Sequence, residues 1–145
     1  MKMNYIRWTT IDCHGISTLK RRCDMASKFE QKINSVEWLL TDGATGTNLF
    51  DMGLLSGDAP ELWNEKYPKK ILKLHKDAVD AGSDIFLTNS FGSNALRLKL
   101  HNCGNRAFEL SKISAEIARN VADAYDRSIF VAGSVGPTGE IMQPI

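Results

Sequence analysis

Leu39-Leu40-Thr41-Asp42-Gly43-Ala44-Thr45-Gly46-Thr47-Asn48-Leu49-Phe50 decides how the rest of the chain is read. It opens as an apolar run and ends on a carboxylate. A glycine follows at once, and a second comes after two small residues. A buried strand that delivers a polar side chain to its exposed end and then turns sharply has this pattern. Glycine suits the turn because it tolerates backbone angles and close approaches that a Cβ forbids. Asp42 and Gly43 are therefore expected at the mouth of a ligand site. On local grounds alone, Asp before Gly is equally an ordinary turn pair.

Outward from that stretch the arrangement recurs twice. Asp84-Ile85-Phe86-Leu87-Thr88 runs into Asn89-Ser90-Phe91-Gly92, and Ser128-Ile129-Phe130-Val131-Ala132 runs into Gly133-Ser134. These are the second and third expected strands, the first being Val36 to Thr41. Between them lie two amphipathic stretches. One starts at Tyr67-Pro68, where proline suits the first helical turn. It places Ile71, Leu74, His75 and Ala78 at i, i+3, i+4 and i+7 and stops at Gly82. The other, Arg106 to Tyr125, carries Leu110, Ile113, Ile117, Val121 and Ala124 on one stripe. Ser93 and Asn94 are good N-caps for a short helix over 95–100. His75 faces helix packing, so it reads as a packing histidine. Trp63, in a loop near a strand end, suits either a lid over a pocket or a plug for the core.

Strands alternating with helices imply a parallel sheet, and strands this apolar imply one covered on both faces. In such α/β folds, ligands bind at the carboxyl ends of the strands. Three strands do not finish a domain, because an open parallel edge exposes unpaired backbone groups. The chain therefore reads as the front portion of a larger α/β protein, or as one that completes its sheet by oligomerising.

Composition narrows the function. The chain has 145 residues, 43% of them hydrophobic and 24% charged, with a formal net charge of +1. That balance points to no nucleic-acid or membrane-surface partner. No apolar run approaches the roughly 20 residues that span a bilayer. Cys13, Cys23 and Cys103 form neither a disulfide framework nor a metal knuckle, so a reducing, cytoplasmic setting is expected. The first ten residues show no sustained hydrophobic period, and residues 1–35 read as an extension, disordered or not native, with Met25 as an alternative start; within it Ala26 to Ser35 could form a short helix that packs Phe29 and Ile33 at i,i+4. The two G-x-T-G loops, 43–46 and 136–139, match no phosphate-cradling pattern and hold no lysine or arginine. A phosphate-binding α/β protein is accordingly the weakest alternative.

Five motifs, in order, carry a resemblance. Thr41-Asp42-Gly43-Ala44-Thr45-Gly46-Thr47, Glu61-Leu62-Trp63-Asn64, Ala81-Gly82-Ser83-Asp84-Ile85, Leu87-Thr88-Asn89-Ser90-Phe91-Gly92 and Gly136-Pro137-Thr138-Gly139-Glu140 resemble the homocysteine S-methyltransferase family. The likeness is strongest to the homocysteine-binding domain of cobalamin-dependent methionine synthases, and it covers residues 36–145. It implies an α/β fold holding about the first three βα units of a (β/α)8 TIM barrel. It implies methyl transfer from a small-molecule donor, with cobalamin or folate as the donor system, to the sulfur of homocysteine. It also implies a zinc ion held by three cysteines that keeps that sulfur a thiolate. Asp42 and Gly43 match the motif holding the amino-acid end of homocysteine. Asn89 and Phe91 match a second strand-end motif lining the pocket, and Trp63 stands where relatives carry an aromatic residue. The family's zinc cysteines correspond to positions after Ile145. No metal ligand is carried over, and this polypeptide alone is expected to be inactive. The reading from another class is a non-catalytic amino-acid-binding or oligomerising module.

Overall fold

The computed structural model describes residues 28–140. Cys13, His14, Cys23 and most of the expected N-terminal extension lie outside the described residues. The chain divides between Trp38 and Leu39 into two compact units. Within the first, residues 28–35 form helix α1. The second holds α2 (Thr45–Asp51), a 3-10 turn (Pro60–Leu62), α3 (Trp63–Lys66) and α4 (Pro68–Asp80). Then follow β1 (Ile85–Leu87), α5 (Ala95–Lys99), a second 3-10 turn (Gly104–Arg106), α6 (Ala107–Asp123) and β2 (Phe130–Ala132).

The helices form where their caps and stripes place them. Pro68 opens α4, and Gly82, at φ 105°, closes it. The Gly82 N–H donates to Val79 O and the Ser83 N–H to Ala78 O, a left-handed stop that satisfies two terminal carbonyls. Arg127 Nη2 adds bonds of 2.8 Å to Val79 O and Ser83 O. Asn94 caps α5 through its side chain, which accepts the Arg97 N–H. On α6 the buried face runs through Leu110, Ser114, Ile117, Ala118 and Val121. Ala124, expected on that stripe, is the exposed C-cap, because the helix ends there and the stripe with it.

β1 pairs parallel with β2, Ile85 opposite Phe130 and Leu87 opposite Ala132. On its other edge β1 meets the first expected strand at one bridge, Thr41 to Ile85. The strand foreseen over 36–41 is thus shorter than the sequence implies. The Leu40 carbonyl accepts from both Asp84 N and Ile85 N, and the Leu40 N–H goes to the Asp84 carboxylate, not to a backbone oxygen. That side-chain bond stands where a further backbone rung would be, so the ladder stops at one bridge. Two apolar clusters fill the space under the sheet. Leu49, Leu54, Trp63, Ile71, Leu74 and Ile117 form one, and Val79, Phe86, Ala118, Val121, Ala122 and Ile129 the other. Each fully buried large side chain contributes roughly 1.5–3 kcal/mol.

Candidate functional site

The first two strand ends finish in the same way. In a parallel ladder the Leu87 N–H would meet the Asp42 carbonyl; here it donates to Asp42 Oδ2 at 3.1 Å. The Ser134 N–H likewise donates to Thr88 Oγ1 at 2.9 Å. At both strand ends a side-chain oxygen replaces the carbonyl of its own residue in the last rung. Thr88 Oγ1 also meets Ser90 Oγ at 2.6 Å, and Ser90 Oγ donates to Ser134 O at 2.8 Å. Much of the strand-end polarity therefore knits the rim together.

One strand-end atom is left over. Asp42 Oδ1 is buried and without a hydrogen-bond partner. Burial pushes the Asp42 carboxyl above the usual carboxylate range, against the Leu87 N–H that favours the charged form. Beside it the turn is unlike the sequence expectation. The left-handed residue is Ala44, at φ 54°, and a Cβ on Gly43 or Gly46 would meet nothing within 4 Å. These glycines hold space open above the strand end; no close approach requires them.

Asn89 and Phe91 line a cavity of about 380 Å3 together with Thr88, Ser134, Glu61 and Arg97. Asp42 and Gly43 line a neighbouring cleft, and Thr45 borders both. Phe91 is half exposed. Gly136 fits against it: the Gly136 N–H donates to Phe91 O, and a Cβ there would run into that oxygen and the ring. Arg97 lies over the outer part of the same ring, 5.8 Å from its centroid.

Asn89 is buried, and its amide group is engaged. Nδ2 donates to Pro60 O at 2.8 Å and to Asn64 Oδ1 at 3.0 Å, while Asn64 Nδ2 returns a bond of 2.9 Å to Asn89 O. It fixes segment 60–64 against the second strand end. Trp63 is the plug and not the lid. It is 5% exposed within the first apolar cluster, with Tyr67 edge-on at 5.0 Å and Lys70 Nζ 4.6 Å from its centroid. It does not line the cavity.

Glu61 is the residue that sequence reasoning missed. It is 5% exposed, and its Oε1 accepts the Gly92 N–H at 2.6 Å. Its place in Glu61-Leu62-Trp63-Asn64, with a second buried polar residue three positions on, was the available signal. His75, read as a packing histidine, is buried with its ring 4.8 Å from Phe86.

A family profile described as Homocysteine S-methyltransferase matches residues 39–144. The chain is 35% identical over 108 residues to a methionine synthase of Mycobacterium tuberculosis and 34% identical over 108 residues to one of Mycobacterium leprae. Each alignment covers 68% of this chain and 9% of the relative. The fold superposes on the homocysteine methyltransferase MmuM of Escherichia coli in its metallated form, with a TM-score of 0.65 and 29% identity. That match covers 75% of this chain and 41% of MmuM, so the chain spans less than half the length of the relatives it matches. The profile covers most of the chain and the first relative is 35% identical over 68% of it, so the chain belongs to the homocysteine S-methyltransferase family.

Proposed function

We propose that the chain supplies the N-terminal βα units of a (β/α)8 barrel that binds L-homocysteine at the strand C-terminal rim and takes part in methylating its sulfur. In that reaction the thiol first gives its proton to solvent; a sulfur lone pair then forms the S–CH3 bond as the donor–CH3 bond breaks, and the donor leaves with that bond's electron pair. The cytoplasm is the proposed setting; among the described residues no helix is long and apolar enough to cross a membrane.

The observation that carries the reading is the free oxygen of Asp42 at a strand end in a chain of this family. A buried carboxylate oxygen with no donor suits an ammonium group. Gly43 leaves room for the amino-acid end, and Phe91 walls the adjoining cavity. The family's zinc does not fit the described residues. No three His, Cys, Asp or Glu side chains among them converge, and the Cys103 thiol donates to His101 O at 3.0 Å. No step is therefore assigned to a metal held here.

Isothermal titration of the protein with L-homocysteine tests the reading. Asp42→Asn keeps an acceptor for the Leu87 N–H and removes the charge, so its melting temperature should hold. Its affinity should fall roughly tenfold or more, the worth of a charge-assisted hydrogen bond. Unchanged affinity would remove Asp42 from the site.

A second reading, an amino-acid-binding module that oligomerises, is favoured by Leu40 and Leu87, 42% and 37% exposed along the sheet. Sedimentation equilibrium showing a concentration-dependent dimer that ignores homocysteine would support it instead.

A further inference from the structure

The 380 Å3 cavity is lined by four residues with ionisable side chains, Asp58, Glu61, Arg97 and His101. Asp58 is exposed and takes the Leu55 N–H at 3.4 Å. Arg97 is exposed and touches the Phe91 ring. Glu61 differs from them. It is among the few buried charged side chains, yet no cation pairs with it among the described residues. Its one bond there is to the Gly92 N–H, and the carboxylate lies so flat on Gly92 that a Cβ at that position would fall 2.7 Å from Oε1.

A carboxylate withdrawn from water is strongly disfavoured unless charge or several donors meet it. One backbone N–H is a thin complement. The cost is understandable if a cation arrives with a ligand, since unbalanced buried charge in a cleft marks functional sites. The surrounding wall supplies the rest of an amino-acid receptor: Leu49, Leu98 and Phe91 for a short apolar chain, and space well above that of a small ligand.

We propose that Glu61 is a further substrate-positioning residue, its Oε2 receiving the α-ammonium group of the amino-acid substrate alongside Asp42. This rests on the homocysteine reading above. Glu61 lines the cavity, Asp42 lines the neighbouring cleft, and Thr45 borders both; Oε1 of Glu61 is taken by the Gly92 N–H, which leaves Oε2 for the ligand. Gly92 holds Glu61 in place, which explains why the second strand-end motif ends on glycine.

Titration of the wild-type protein, Glu61→Gln and the Glu61→Gln/Asp42→Asn double variant, each with L-homocysteine and with 4-mercaptobutanoate, tests this. The second compound is homocysteine without its amine. Glutamine can still accept the Gly92 N–H, so the loop should survive, and a melting curve checks it. Glu61→Gln should weaken homocysteine roughly ten- to hundredfold and leave 4-mercaptobutanoate within about twofold. The double variant should lose less than the product of the two single losses, because both groups meet one ammonium. In the wild-type protein, the 13C-carboxyl resonance of Glu61 should shift with homocysteine and not with 4-mercaptobutanoate, a readout that needs no variant to fold. Equal losses for both thiols, or an unmoved Glu61 resonance, would overturn the proposal and leave the homocysteine reading standing. No binding of either thiol to the wild-type protein would overturn both.

Discussion

His75 shows how one side chain sets a condition on the whole fold. Burial lowers its pKa to about 4, and its Nε2 has no partner. The folded value lies below the unfolded value of 6.5, so the unfolded chain takes up the proton first. The stability tied to neutral His75 is complete above pH 6.5 and is lost as the pH falls from there towards 4. Between pH 7 and pH 5 that amounts to about 2 kcal/mol. Urea unfolding at the two pH values should show this drop in the wild-type protein, and His75→Leu should largely abolish it. A drop of equal size in the variant would assign the effect elsewhere. The helical stripe marked His75 as a packing residue from sequence alone. Whether Trp63 was lid or plug was not legible, because an amphipathic ring suits both and only its neighbours decide. Glu61 was less legible still, since a carboxylate in a polar loop reads as solvated until the fold closes over it.

At the scale of elements, the two G-x-T-G loops prove unlike. The first holds open space, with its left-handed turn on Ala44. The second presses Gly136 onto Phe91, and the Asn94 side chain reaches Pro137 O at 3.4 Å. Gly136→Ala should therefore push Phe91 out of its place on the cavity wall. A loss of roughly 1–3 kcal/mol in stability is expected from such overpacking. Homocysteine affinity should fall with it. Wild-type stability and affinity in this variant would show that the loop yields instead. The long helices were legible because their period is sustained over many residues. The first strand was not legible in its extent. Apolar residues at 36–40 describe a wish for burial, and a strand's length depends on neighbours that pair with it.

The second unit is built around β1, which alone among the described strands has bonded neighbours on both edges. Ile85, Leu87 and Thr88 donate their N–H groups to Leu40 O, Asp42 Oδ2 and Ala132 O. By strand alternation, Thr41 and Val131 turn theirs away from it. Native-state hydrogen exchange should find the β1 amides slowest and Thr41 and Val131 faster by roughly a hundredfold or more. Comparable protection of all five would mean that something covers both outer edges, as a second copy would.

The oxygen-for-carbonyl substitution at Asp42 and Thr88 has a wider consequence. A carboxylate and a hydroxyl perform the same stitch at the two strand tips. The last rung is therefore closed by a carboxylate at one tip and a neutral hydroxyl at the other. What the rung requires of the side chain is an acceptor oxygen within reach of the next strand's N–H. A lineage can thus recast the electrical character of its binding mouth one tip at a time while the foundations stay as they were.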